Sequence, residues 1–74
     1  MIPLMLADVG KDLEIVKISG TPELKHHLED IGFVVGDIIQ VLSSQSGNVI
    51  VTVKGTRIAI SNEMARKIMV KIAE

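Results

Sequence analysis

Cysteine, tryptophan and tyrosine are absent from this chain of 74 residues, and Phe33 is its one aromatic. Without cysteine, neither disulfides nor thiolate metal ligands can support the fold. Without aromatic faces there is no base-stacking platform and no wall for a proline-peptide groove. Charge of either sign is also not in excess: eight Lys+Arg face nine Asp+Glu, a formal net charge of −1. Nucleic-acid binders draw much of their affinity from neutralised phosphates and carry a basic surplus, so no nucleic-acid partner is expected. No apolar run approaches the ~20 residues needed to span a bilayer. The apolar start, Met1 to Ala7, lacks a basic leader region and a cleavage pattern, and Asp8 ends it. A soluble cytoplasmic protein with no direct membrane insertion is the expectation.

What is present is aliphatic. Hydrophobic residues make up 47% of the chain, nearly all of them Ile, Val, Leu, Met and Ala. A chain this short buries only about 60% of its unfolded surface, so the core must be dense. One domain covering residues 1–74 is expected, with no linker, repeat or low-complexity segment.

Asp12 to Ser19 reads as a strand in which Leu13 and Ile15 share a face while Val16 and Ile18 fall on the other. That slip of phase implies a β-bulge or burial on both sides. Thr21-Pro22-Glu23 is a helix start: a capping hydroxyl, a proline suited to the first position and an acid at the positive end of the dipole. Leu24, Leu28 and Ile31 then form one apolar stripe, and Gly32 stands where a left-handed C-terminal cap is wanted. Strands follow over Ile38 to Leu42, Val49 to Val53 and Arg57 to Ile60. Ser43 to Asn48 is expected as the first hairpin loop and Lys54-Gly55-Thr56 as the second turn. Ser61 or Asn62 caps a helical turn reaching Lys67, and Ile68, Val70 and Ile72 mark a last strand. Short strands joined by tight turns favour closure, so the fold class is mainly β: a small barrel of about five strands, with one inserted α-helix and a helical turn before the last strand.

Catalytic chemistry has little to attach to. Lys54-Gly55-Thr56 lacks the order and context of a phosphate loop. Ser19, Ser43, Ser44, Ser46 and Ser61 lie at turns or element ends, none with a neighbouring His–Asp arrangement. The one suggestive pair is His26-His27. Adjacent helical residues point about 100° apart, so the two do not share a metal. Glu23 with His27, and His26 with Asp30, stand at i,i+4 and offer two ligands each, whereas a structural zinc wants four. Solvated helix surface is the plainer reading of these pairs, except that His27 flanks the buried stripe and is expected to pack against it. Met5, Met64 and Met69 read as gap fillers in an aromatic-poor core.

Certain residues together carry a family likeness. They are Leu4, Gly10, Ile15 and Ile18-x-Gly20, then Leu24-x-x-His27-Leu28-x-x-Ile31-Gly32-Phe33-x-x-Gly36. After these come Val49-x-Val51, Gly55-x-x-Ile58-Ala59-Ile60 and Ala65-x-x-Ile68-x-Val70. From Leu4 to Val70 the chain resembles the ferrous iron transport protein A (FeoA) family. The family's central pattern is Arg-Leu, then Leu-Gly-Leu or Met-Gly-Leu, then Pro-Gly. This chain has His27-Leu28, Ile31-Gly32-Phe33 and Val35-Gly36 in those places. The resemblance implies a five-stranded SH3-like barrel with a helix after the first strand. It also implies a non-enzymatic, regulatory part in bacterial ferrous iron uptake beside the FeoB transporter, at its cytosolic GTPase domain or its membrane part. The same fold serves as the C-terminal domain of metal-dependent repressors of the diphtheria toxin repressor type. The alternative function is therefore direct metal binding or sensing.

For the first function, the contact is expected on Lys25, His26, Glu29 and Asp30, with Phe33, Val34 and Val35 as a small apolar patch. For the second, His26, His27, Glu23 and Asp30 are the candidate ligands, for Fe(II) or Zn(II) held weakly, and no cofactor is required. Val/Ile-rich strands also admit edge pairing between copies, which leaves a homo-oligomer open beside a closed monomer.

Overall fold

The structure is a computed structural model and describes residues 1–73. Strand β1 (Ile2–Pro3) leads into a single 3-10 turn at Leu4–Leu6, followed by β2 (Asp12–Ile18) and helix α1 (Pro22–Asp30). Strands β3 (Ile38–Gln45), β4 (Asn48–Val53) and β5 (Thr56–Ser61) form a meander, and α2 (Asn62–Ala65) and β6 (Ile68–Ile72) complete the chain. All pairings are antiparallel, in one sheet of order β1-β6-β2-β3-β4-β5. The expected barrel of about five strands is thus five strands plus a two-residue edge strand. Pro3 shortens that edge because it has no N–H for a further ladder bond.

Two bulges curl the sheet. One lies in β2 between Ile15 and Lys17 against β6, the other in β3 between Val41 and Ser43 against β4. The first accounts for the slipped phase: Val16 is the extra, half-buried residue, and its insertion returns Ile18 to the interior beside Leu13 and Ile15. The second extends β3 beyond the expected Leu42. Ser43, Ser44 and Gln45 pair with Ile50, Val49 and Asn48, so the anticipated six-residue loop shrinks to a turn at Ser46-Gly47. Serine and glutamine on an outward face need no hydrophobic pattern to remain in a ladder, which is why the sequence reads as a loop there.

The interior is wholly apolar: Leu4, Leu13, Ile15, Ile39, Val41, Val49, Val51, Ile68 and Val70 are almost completely buried, and no polar side chain among the described residues is. β5 and β1 are the edges of the sheet; α2 packs against β5, β4 and the 3-10 turn, which in turn meets β6. Met5 and Met64 fill space at the core's margin, and Met5 Sδ accepts a hydrogen bond from Arg66 Nε at 3.5 Å. Ile72 belongs to the last strand, as expected, but is exposed beyond its last inward row.

α1 is the inserted element. Thr21 caps it, its Oγ1 accepting from the Leu24 N–H at 3.2 Å, with Pro22 in the first turn. At the other end the Phe33 N–H donates to Leu28 O at 2.9 Å and the Gly32 N–H to Glu29 O at 3.0 Å. This is the paired bonding of a Schellman cap, with Gly32 at φ +118 as its left-handed residue. A methyl group at Gly32 would meet Val53 and Ile58 only at ordinary contact distance, so the constraint is conformational. Gly32→Ala is expected to lower stability by about 1–3 kcal/mol, with an unchanged m-value in urea. A loss below a few tenths of a kcal/mol would show that the helix ends another way.

Candidate functional site

α1 is amphipathic in a narrow sense. Leu28 is its one fully buried side chain, and Leu24 is partly buried against the core, as is Ile31 at the cap. Glu23, Lys25, His26, His27, Glu29 and Asp30 are all exposed. Among the described residues the ion pairs are Lys11–Asp8 and Lys54–Asp37, so none of the charges on α1 is engaged. The i,i+4 spacing of Lys25 with Glu29 is present in the helix, but the pair is not closed. His27, read from the sequence as flanking the buried stripe, lies on the exposed surface. No three His, Asp or Glu side chains converge among the described residues, and this includes the expected set His26, His27, Glu23 and Asp30. What remains is the pair at each i,i+4 step on a solvated helix.

One expected contact residue is overturned. Phe33 is 0% exposed and belongs to the core, so it cannot present its ring to a partner. The reason is local: it follows the left-handed Gly32, and the Schellman geometry turns that position back toward the helix's third-last residue, here the equally buried Leu28. Val34 and Val35 do remain outside, at 41% and 56% exposure. They sit on a β-turn closed by the Asp37 N–H donating to Val34 O at 3.0 Å, with Gly36 at φ +96. That turn is fixed on β2: the Gly36 N–H donates to Ile15 O at 2.8 Å and the Ile15 N–H to Asp37 O at 3.0 Å. Half-exposed Ile38 follows at once, so three exposed aliphatic residues fall within five positions of the helix-to-sheet connection.

A second feature could not be read from the chain. Asp12, Ile38, Ile39, Gln40, Thr52, Lys54 and Gly55 line a shallow depression of about 250 Å³. Gln40 Nε2 donates to Asp12 Oδ1 at 3.0 Å among the residues that line it. Lys54 holds its ammonium 3.3 Å from Asp37 Oδ2, which has no hydrogen-bond partner of good geometry and is screened from solvent. The contact is therefore an electrostatic one between the β4–β5 turn and the residue that precedes β3. Lys54 stands at φ +52 and Gly55 at φ +79, the left-handed pair of a type I′ hairpin in which asparagine is the usual first residue. Lysine there supplies the ammonium that reaches Asp37. The facing residues come from β2, β3, β4 and the β4–β5 turn, and strand register brings them together.

No described helix is long and apolar enough to cross a membrane. The sequence profile of the FeoA domain matches residues 2–72. A protein of Methanocaldococcus jannaschii that carries the provisional name Fe(2+) transport protein A is 36% identical over 74 residues, which is 100% of this chain and 90% of that protein. Among solved structures, an iron uptake regulatory protein (FeoA) superposes with a TM-score of 0.86 at 33% identity, covering 95% of this chain and 93% of the other. The zinc-bound ScaR structure superposes at 0.89 over 99% of this chain. It is 23% identical, and the match spans 37% of its length, so that likeness is one of fold.

Proposed function

The chain belongs to the FeoA domain family, and we propose that it is a non-enzymatic accessory of ferrous iron uptake, acting in the cytoplasm on the cytosolic part of a FeoB-type transporter. One observation carries the proposed contact surface. α1 is attached to the barrel by a single fully buried side chain and offers Lys25, His26, Glu29 and Asp30 with no internal partner among the described residues, beside exposed Val34 and Val35. Unpaired charges around a small apolar centre have the composition of a modest protein–protein interface: the aliphatic pair excludes water and the charges fix orientation. The protein then works by contact, and the transporter supplies the chemistry.

The test is an amide chemical-shift titration of labelled protein with the transporter's soluble GTPase domain. Shifts confined to residues 25–35 are expected. The double charge reversal Glu29→Lys with Asp30→Lys should weaken that binding about tenfold while leaving the thermal midpoint within a degree or two. Equal affinity of the variant would remove α1 from the interface.

Direct Fe(II) or Zn(II) binding is the second reading, and the two i,i+4 pairs on α1 are its site. Two ligands on a solvated helix hold a metal weakly. Calorimetry with either ion should therefore give a shallow isotherm that His26→Ala with His27→Ala flattens. A tight isotherm would make metal handling the primary role.

A further inference from the structure

Strand β6 carries an alternation that the α1 contact does not use. Ile68 and Val70 point into the core, so Met69 and Lys71 project from the opposite side, and Lys67, one step before Ile68, continues that row. One further bond follows the last paired row, Ile18 with Ile68: the Lys67 carbonyl accepts from the Ser19 N–H at 2.7 Å. Across the sheet Met69 stands between Pro3 of β1 and Lys17 of β2, and Lys71 stands opposite Glu14. The outer face of β1-β6-β2 therefore sets three lysines, Lys17, Lys67 and Lys71, around Met69 and Pro3, with exposed Met1 at its border. Among the described residues none of these lysines is in an ion pair, although Glu14 faces Lys71 across the ladder. In a chain of net charge −1, three unpaired cations on one sheet face are a local excess.

We propose that this face rests on an anionic lipid surface, with Lys17, Lys67 and Lys71 at the headgroups and Met69 and Pro3 against the interface. Lysine stems lie along apolar surface while their ammonium groups reach outward, and that arrangement suits a lipid–water boundary. Each lysine near an anionic leaflet multiplies partitioning about fivefold, so three give an enrichment on the order of a hundredfold. This is weak reversible adsorption, useful to a protein whose working partner is already in the bilayer. The outside of a curled sheet is convex, and an acidic peptide would prefer a groove or a free strand edge. The groove lies elsewhere, in the Asp12–Lys54 depression, and the long free edge is β5, while the edge strand β1 beside this face is only two residues long.

The experiment is co-sedimentation of the whole chain with vesicles of phosphatidylcholine alone and with 30% phosphatidylserine, at low and at physiological salt. The expected result is binding to the anionic vesicles only, weakening as salt rises. The triple variant Lys17→Gln, Lys67→Gln, Lys71→Gln should lose on the order of a hundredfold, while Lys25→Gln on α1 should lose nothing. Circular-dichroism melting of each variant separates loss of the face from loss of the fold, and amide shifts of the wild type with anionic nanodiscs should fall on β6 and β2. Equal sedimentation with both vesicle types, or a folded triple variant that binds as well as wild type, would overturn the proposal. Binding to poly-glutamate without binding to vesicles would overturn it too and assign the face to an acidic protein partner. Because α1 is not involved, failure here leaves the transporter contact standing, and the reverse also holds.

Discussion

Phe33→Ala is expected to lower unfolding stability by about 3–5 kcal/mol, the usual range for truncating a fully buried aromatic side chain. A domain of 74 residues has about 4–11 kcal/mol in total, so the variant sits at the edge of folding at 37 °C. Two features put this position at the upper end of the range. Phe33 is the largest side chain in an otherwise aliphatic interior, so the space it leaves is not filled by a rotamer change of a neighbouring Leu or Ile. The backbone there is also held by the N–H bond to Leu28 O, which alanine retains, so the chain cannot move inward to fill the space. Urea denaturation followed by circular dichroism measures the loss. Phe33→Leu, which keeps most of the volume, should recover all but about 1.5 kcal/mol. By contrast Val35→Ala, on the exposed tip of the next turn, should stay within about 0.5 kcal/mol. If Phe33→Ala were as stable as Val35→Ala, the ring would not be in the core. The comparison also guards a functional reading: lost iron uptake in a Phe33 variant reports unfolding, whereas lost uptake in a Val34 or Val35 variant reports contact.

The sequence reveals a good deal about this position and the ones around it, and the limits are physical. Thr21-Pro22-Glu23 and Gly32 mark both ends of α1 because caps are local hydrogen-bonding problems with few solutions. The slipped phase at Val16 shows as a bulge because period 2 leaves no other way to return Ile18 inward. The same Gly32 that marks the helix end also dictates that the next residue turns back onto Leu28. Phe33 can therefore be read as buried from the cap alone, and reading it as surface separates two consequences of one motif. What the chain does not disclose depends on register. Ser43 to Gln45 carry no pattern, and only pairing with β4 makes them strand. The Lys54–Asp37 contact, the depression above Gln40 and the lysine face of β6 each need the neighbour relations β2–β3, β3–β4 and β2–β6 before their members can be seen together. For the candidate site, the helix surface is legible from its spacing, while weighing a contact face against a metal pair requires knowing that no third ligand approaches among the described residues.

Leu28→Ala should separate the helix from the barrel. Leu28 is the one residue of α1 that is fully buried, and truncating a buried leucine costs about 2–5 kcal/mol. The sheet does not depend on that side chain in the same way: its strands are held by their own ladders and by the facing rows of Val41, Val49, Val51, Ile68 and Val70. A nine-residue helix is too short to persist alone in water, so once its anchor is weakened the segment opens locally before the barrel does. Native-state hydrogen exchange should therefore accelerate by about 30-fold or more at the amides of residues 25–33, the factor corresponding to 2 kcal/mol. Amides in the β4 ladder should change several-fold less. If α1 is the proposed contact, binding to the transporter's cytosolic domain should fall in Leu28→Ala because the charged face is no longer held in helical spacing, although Lys25, His26, Glu29 and Asp30 are all retained. Uniform acceleration across α1 and β4 would show that the helix and barrel unfold as one unit. Selective opening of α1 with undiminished binding would show that the partner does not use the helix.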